Sequence, residues 1–168
     1  MAAGQNEERD MSEITFANLA DKTGEMLGTS SWHEITQDAV NEFAHCTGDN
    51  QWIHIDVERA KKESPFGGPV AHGYLTLSLV ASLAMEIGAV PGGTAAALNY
   101  GLDKVRFLAP VPVGAKVRLH AKLMSFERKD NGQYLMKTEN TMEMEGADKP
   151  VLLAESLAIL VPGPDAKT

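Results

Sequence analysis

The sequence predicts an α+β fold, in which an antiparallel sheet packs against one buried helix. Helical patterns occupy the first part of the chain, an almost wholly apolar segment runs from Gly73 to Ile87, and alternating segments then continue to residue 161. Helices followed by a series of long strands are typical of α+β architecture. The 168 residues and 43% hydrophobic content match one ordinary globular domain.

We expect a single domain over residues 13–161, with flexible ends. Residues 1–12 are polar and acidic, whereas a secretory signal has a basic region followed by an apolar one. They are interpreted as a flexible leader, and residues 162–168 as a flexible tail. The single Cys46 excludes an internal disulfide and fits a reducing compartment. These features favour a cytoplasmic location.

The charge balance argues against a nucleic-acid partner. The formal net charge is −8, and no run of basic residues is longer than Lys61-Lys62. A nucleic-acid-binding surface needs clustered positive charge. No nucleic-acid partner is therefore expected.

Start and stop signals define two helices before the apolar segment. Thr36 can act as the N-cap of a helix that continues to about Cys46, and Gly48 ends it as a C-terminal glycine. Asp56 can cap a second, shorter helix that runs to Glu63.

The apolar segment GYLTLSLVASLAMEI, residues 73–87, predicts a buried helix. Glu86 is its only charged residue, and Pro91-Gly92-Gly93 marks its end. A membrane span is the competing interpretation, since about 18 consecutive apolar residues can cross a bilayer. Polar residues interrupt this segment and no aromatic belt flanks it. We therefore expect no membrane partner.

Alternation of apolar and polar residues predicts a sheet after the buried helix. Four apolar residues of the segment 115–128 alternate with charged and polar neighbours, as on a strand with one solvent-facing side. Asp130-Asn131-Gly132 supplies a tight hairpin turn, and residues 146–148 a looser one. The predicted strands cover residues 94–100, 103–108, 115–128, 133–145 and 150–161.

Asp49 and His54 are the main candidates for chemistry. They lie in TGDNQWIHID, residues 47–56, between the first two helices. Five residues apart, they would point about 140° away from each other on a continuous helix. On an irregular loop both could meet at one water molecule and act as a general acid–base pair. The alternative is that Asp49 caps the nearby backbone and His54 packs as a structural histidine.

Other catalytic arrangements are weaker. Cys46 could act as a nucleophile with His54 as its base, but a cysteine at a helix end is more often a small buried hydrophobe. Two further histidines, His45 and His72, could join Asp49 and His54 at a metal. None of the standard zinc spacings appears, however, and no metal is expected.

Gly73 is a candidate for binding a negatively charged oxygen. It begins the buried helix, where backbone N–H groups have no partner within the helix and the helix dipole favours an anion. Its N–H could form part of an oxyanion hole. The alternative is that the glycine only permits a tight entry into the helix.

Three motifs in this order resemble the MaoC-like dehydratases. They are FAHCTGDNQWIHID at residues 43–56, GPVAHGYLTLS at residues 68–78, and NYGLDKVRF at residues 99–107. That family includes the (R)-specific enoyl-CoA hydratases, and the likeness is strongest to the nodulation-protein-N-like branch. It covers about residues 16–161.

The resemblance implies a hotdog fold, an antiparallel sheet wrapped around one long helix, usually in a homodimer. It also implies that Asp49 and His54 hold a water and add it syn across the double bond of a trans-2-enoyl-CoA, giving a (3R)-3-hydroxyacyl-CoA. Gly73 would supply the amide that binds the thioester. No cofactor is implied, because coenzyme A is part of the substrate.

Some residues depart from the hydratase pattern, and others are candidates for substrate binding. Gln51 and Trp52 replace an Asn-Pro pair, yet they can still form hydrogen bonds and stiffen the loop. Ala81 stands where some hydratases carry a serine further along the central helix, and Ser78 or Ser82 could substitute for it. Lys104 and Arg106 are candidates for the coenzyme A phosphates, although basic residues on a strand are more often simply solvated.

Two other functions remain open from the sequence. A hotdog acyl-CoA thioesterase would direct water to the thioester carbonyl, and a non-catalytic acyl-CoA-binding protein would keep the fold without turnover. A substrate carried by acyl carrier protein, rather than coenzyme A, is also compatible with these motifs.

Overall fold

The computed structural model describes residues 14–168. The leader expected over residues 1–12 lies outside the described residues. The chain begins with a 3-10 helix, Leu19–Lys22, and continues with β1 Met26–Thr29, β2 His33–Glu34, α1 Gln37–Thr47, α2 Trp52–Ile55, α3 Val57–Glu63, α4 Gly73–Ile87, β3 Thr94–Phe107, β4 Lys116–Arg128, β5 Tyr134–Met144 and β6 Leu152–Pro162.

The strands form one antiparallel sheet that packs against α4, which confirms the predicted α+β fold. The strand order is β1-β4-β5-β6-β3, and β2 also pairs with β4. On β4 the four alternating apolar residues are completely buried on the side facing the helices. They are Val117, Leu119, Ala121 and Leu123. We call this helix-facing side of the sheet the inner face and the opposite side the outer face.

The capping signals read from the sequence are present. The Thr36 hydroxyl accepts the Ala39 N–H at 3.2 Å, so α1 begins where predicted. Gly48 ends α1 in the left-handed region, with a φ of 80° that other residues rarely adopt. The Asp56 carboxylate accepts the Arg59 N–H at 3.0 Å and starts α3.

The helix α4 is buried on one side only, which corrects the expectation of a fully buried helix. Thr76, Val80 and Leu83 face the sheet, whereas the side chains of Tyr74 and Met85 are 68% and 72% exposed. The sequence is apolar on both sides, so periodicity could not distinguish them. Within the described residues no helix is long and apolar enough to cross a membrane.

One strand differs from the sequence prediction, and the tail can be placed. The segments predicted as separate strands at 94–100 and 103–108 form one strand, β3, whose pairing register shifts between Asn99 and Gly101. The tail makes backbone hydrogen bonds: Ala17 N–H donates to the Lys167 carbonyl, and Gly163 N–H to the Gly93 carbonyl. Its flexibility stays a prediction.

Candidate active site

His54 lies on a helical turn, α2, that the sequence did not predict. Gly48 ends α1, and the chain then turns inward over Asp49 before α2 begins at Trp52. Because α2 is only one turn long, it carries His54 into the interior, where the side chain is 7% exposed. Asp49 lies before this helix and stays exposed. The chain between the two residues is not one continuous helix, and their five-residue spacing requires this if the side chains are to meet.

The fold brings Asp49 and His54 together with a second histidine, His72. One carboxylate oxygen of Asp49 and one ring nitrogen from each histidine all lie within 4.8 Å of one another. The three residues come from the α1–α2 loop, from α2 and from the position before α4. They form a compact group at the N-terminus of the central helix.

The hydrogen bond of His54 determines which ring nitrogen is available. Its Nδ1 lies 2.6 Å from the Val70 carbonyl oxygen. A carbonyl only accepts, so Nδ1 carries the hydrogen, and in the neutral ring Nε2 has a free lone pair. Burial lowers the pKa of His54 below its usual 6.5, opposed by the hydrogen bond to Val70; His72 lowers it further, and Asp49 raises it. His54 is therefore mainly neutral at pH 7 and can act as a base.

His72 is a site residue that the sequence analysis considered only as a metal ligand. It is 2% exposed, and its Nε2 donates to the backbone carbonyl of Asp49 at 2.9 Å. Its ring stacks on that of His54, with centroids 3.8 Å apart. His72 therefore fixes the Asp49 loop to the start of α4. Its position directly before Gly73, within the second motif, was the available signal.

Gly73 begins α4, as predicted, and its N–H is unpaired. Among residues 14–168 no protein acceptor takes this N–H. The Phe107 ring closes one side, because a Cβ added at Gly73 would lie 3.1 Å from Cδ1 of that ring. The site thus combines a neutral imidazole, a carboxylate and a free amide donor.

Gln51 and Trp52 lie on the outside of this loop. The Gln51 carbonyl accepts the His54 N–H at 3.0 Å, so residue 51 supports the turn through its backbone. The guanidinium of Arg59 stacks 4.3 Å from the centre of the Trp52 ring, joining α2 to α3. These contacts stiffen the loop, and the substrate-binding roles of both side chains stay predictions.

The predicted phosphate-binding residues are not gathered with Asp49 and His54. The Lys104 ammonium lies 2.7 Å from the Glu155 carboxylate on the outer face, and Glu155 also pairs with Lys137. Arg106 is exposed and donates to the Val105 carbonyl. Lys104 is already neutralised, so Arg106 is the better candidate for a coenzyme A phosphate.

The structure also bears on the predictions for Cys46 and for a metal site. Cys46 is exposed, so its interpretation as a small buried hydrophobe was wrong. The three groups Asp49, His54 and His72 are close enough to share a cation, although one nitrogen of each histidine is occupied by a backbone carbonyl. The absence of a metal requirement stays a prediction.

A groove of about 490 Å³ lies between α4 and the inner face of the sheet. Tyr74, the residue after Gly73 in the chain, is among the lining residues. The Ser78 side chain also lines it, although its hydroxyl donates to the Tyr74 carbonyl at 2.7 Å. Most of the lining is apolar, as expected of a site for a hydrocarbon chain.

Comparison with known proteins gives consistent matches. The family described as "MaoC like domain" matches residues 18–145. The chain is 48% identical over 143 residues to 3-hydroxyacyl-thioester dehydratase Z of Mycobacterium tuberculosis, covering 85% of this chain and 93% of that protein. It is 41% identical over 153 residues to nodulation protein N of Rhizobium meliloti, covering 89% and 92%.

The fold is shared with solved structures. An R-hydratase from Pseudomonas aeruginosa superposes with a TM-score of 0.66 at 23% identity, covering 90% of this chain and 87% of that one. A monoamine oxidase regulatory protein from Archaeoglobus superposes with a TM-score of 0.74 at 25% identity, covering 90% and 97%. The predicted hotdog architecture is confirmed.

Proposed function

Since this chain belongs to the MaoC-like dehydratase family, we propose that it interconverts trans-2-enoyl-CoA and (3R)-3-hydroxyacyl-CoA by adding or removing water. The relative named 3-hydroxyacyl-thioester dehydratase Z supports a thioester substrate. The observation that carries the proposal is the buried, neutral His54: one of its ring nitrogens lies within 4.8 Å of an Asp49 carboxylate oxygen, and its ring stacks on His72, the residue before Gly73.

In the hydration direction, one water is held between Asp49 and His54. His54 Nε2 takes a proton as the water oxygen forms a bond to carbon 3 of the enoyl chain. The electrons of the double bond move towards the thioester, and carbon 2 then gains a proton on the same face. The sum is one water added, with no redox change. Asp49 orients the water, and the proton held on His54 is available for carbon 2.

The Gly73 N–H stabilises the thioester oxygen while it carries negative charge. An amide in this position interacts more strongly with the enolate-like transition state than with the ground state. Removing one such donor costs about 3 to 4 kcal/mol of barrier in other enzymes. The adjacent positive end of the α4 dipole acts in the same direction.

The exposed sheet edge and the apolar surface beside it favour a homodimer. The strand β3 is a sheet edge of 14 residues, and large apolar side chains remain exposed on β3 and α4. An unprotected edge next to an apolar surface is a site for pairing with another chain. A second copy on this face would cover Tyr74 and Tyr100 and close the open side of the groove. Tyr100→Lys should lower the dimer fraction in light scattering, whereas Leu153→Lys on the outer face should not.

The activity can be tested with crotonyl-CoA and longer enoyl-CoAs. We expect the enoyl absorbance to disappear, the product to be the (3R) alcohol, and Asp49→Asn to slow the reaction at least 100-fold. Asp130→Asn, in the hairpin turn, is the matched control. Near-wild-type rates for Asp49→Asn would disprove the site, and a (3S) product would disprove the stereochemical proposal.

The same assay separates the alternatives. Release of free thiol before the enoyl absorbance falls would indicate a thioesterase, and saturable binding without turnover would indicate a binding protein. Enoyl-CoA and enoyl-acyl-carrier-protein substrates can be compared directly, and we expect the former to be used. We also propose that no metal is needed, so treatment with EDTA should leave the rate unchanged.

A further inference from the structure

A group of polar side chains lies on the inner face of the sheet, on β5 and β6. Thr138, Asn140 and Ser156 lie next to one another, and we call them the polar cluster. The side chains of Thr138 and Ser156 line the groove, whereas Asn140 lies behind them and is 1% exposed. The neighbouring inner positions, Met136 and Met142, are apolar and buried. The cluster is therefore a polar patch on an apolar wall.

The hydrogen bonds of the polar cluster leave a hydroxyl donor unused. Asn140 Nδ2 donates to the hydroxyl oxygens of Ser156 at 2.8 Å and Thr138 at 3.0 Å. The two hydroxyls lie 2.9 Å apart, so one of them donates to the other. The second hydroxyl hydrogen then has no acceptor among residues 14–168. Because both hydroxyls line the groove, this donor is available to a ligand inside it.

Asn140 also has an unpaired acceptor. Its Nδ2 faces the backbone carbonyls of Thr138 and Ala154, both at 3.3 Å. Carbonyls cannot donate, so they fix the amide with its nitrogen on that side. The Oδ1 atom is buried and has no partner among the described residues. Buried polar groups without partners are rare in folded proteins and often mark a functional site.

The strand register places the polar cluster deep in the groove. Phe107 lies beside Gly73, and Leu102, five residues earlier on β3, pairs with Ser156. The paired strand β6 covers the same span in four residues, because β3 has a register shift there, so at about 3.3 Å per residue the cluster is roughly 13 to 16 Å along the sheet from Gly73. A thioester bound at the Gly73 N–H would therefore bring the distal part of its acyl chain to the cluster.

We propose that the groove holds the acyl chain and that the polar cluster binds an oxygen substituent, a hydroxyl or keto group, in the distal part of that chain. The preferred substrates are then oxygenated acyl thioesters rather than plain fatty acyl thioesters. This inference rests on the proposed function. A plain chain would displace water from the hydroxyl donor without replacing its hydrogen bond, which disfavours the binding of that chain.

The test compares enoyl-CoAs of equal length with and without a hydroxyl, in a series that moves the hydroxyl along the distal half of the chain. We expect kcat/KM to favour the oxygenated substrate about five- to tenfold at one position, the gain typical of one neutral hydrogen bond. Ser156→Ala and Thr138→Val should each reduce this preference, and Ser156→Thr should retain it. Thr141→Val, on the outer face of β5, is the matched control and should keep the full preference.

Equilibrium binding of saturated acyl-CoAs, with and without the same hydroxyl, makes the test independent of catalysis. A binding preference without turnover would disprove the proposed function and support the polar cluster. Equal binding and equal turnover at every hydroxyl position would overturn the cluster proposal. A preference that survives in the Ser156→Ala, Thr138→Val double variant would also overturn it, because another group would then be responsible.

Discussion

His54 and His120 each lie beside a carboxylate, and their surroundings are opposite. His54 is buried next to Asp49, and one of its ring nitrogens is free. His120, on the outer face, uses both: Nδ1 lies 2.9 Å from the Thr29 hydroxyl and Nε2 lies 2.7 Å from the Glu143 carboxylate. The same residue types therefore leave a ring nitrogen free in one place and form a closed hydrogen-bond network in the other.

Electrostatics separates the two pairs in the same way. The pKa of Glu143 is held below its usual value, first by the hydrogen bond from Arg118 and then by that from His120. The hydrogen bonds from Arg118 and His120 thus stabilise the negative charge of Glu143. At the pair of Asp49 and His54, by contrast, burial disfavours the charged form of His54. The two pairs thus differ in whether a ring nitrogen is left free and in whether the surroundings favour the charged or the neutral state.

The largest expected effect comes from replacing the reactive histidine. His54→Asn can keep a donor to the Val70 carbonyl through its amide but removes the free nitrogen. We expect kcat/KM for enoyl-CoA hydration to fall by about 10² to 10⁴. His120→Asn should stay within about twofold of wild type. Equal losses in both variants, with unchanged circular dichroism, would contradict the distinction between the sites.

Replacing His72 should have a smaller effect, because it positions the loop rather than reacting. His72→Leu removes the hydrogen bond to the Asp49 carbonyl, and we expect kcat to fall about 10- to 100-fold. His72→Gln can restore a donor near the Nε2 position and should recover part of the rate with the same pH profile. If the two variants are equally slow, the hydrogen bond does not carry the effect.

The pH dependence should also distinguish the two histidines. Because the pKa of His54 lies below 6.5 in the folded protein, its neutral form persists to lower pH than in a free histidine. The acid limb of the kcat/KM profile should therefore be centred below pH 6.5 and approach a fall of about tenfold per pH unit at lower pH. The unfolded chain binds a proton more readily there, so this group also contributes stability that is lost as pH falls. An acid limb centred above pH 6.5 would contradict the assignment.

The smallest effect is expected on the outer face. Glu143→Gln weakens the contacts to Arg118 and His120, and partly exposed ion pairs are worth about 1 kcal/mol or less. We expect thermal unfolding to change slightly and hydration kinetics to stay unchanged. The lowered pKa of Glu143 favours folding above its usual pKa, so the difference from wild type should disappear as the pH falls and the carboxylate gains a proton. A large kinetic effect would connect this network to the reaction.

Local chemistry explains what could be predicted of the fold. Thr36, Gly48 and Asp56 act through backbone geometry within a few residues, so their roles are visible in sequence. The continuity of β3 through Gly101 and the exposed side of α4 depend on strand pairing and on which side the sheet covers. Such contacts join residues far apart in the chain, and periodicity does not contain them.

Contacts between residues far apart in the chain also limited what could be predicted of the candidate site. The resemblance indicated Asp49, His54 and Gly73, and the structure brings these residues to one end of α4. The sequence could not reveal that the Glu155 carboxylate pairs with the Lys104 ammonium, because the two residues are 51 positions apart in the chain. The importance of His72 was also hidden, since its partner at residue 49 is a backbone atom with no side-chain signature.

The hydrogen bond from His72 to the backbone of residue 49 has a consequence for substitutions at residue 49. His72 holds residue 49 by its main-chain oxygen, so this hydrogen bond does not depend on which side chain stands there. On the proposed mechanism, a single substitution at this position would remove the chemistry and leave the hydrogen bond in place. Evolution could then derive a binding protein from such an enzyme in one step, and an experimenter could use the same step to trap an intact substrate for crystallography.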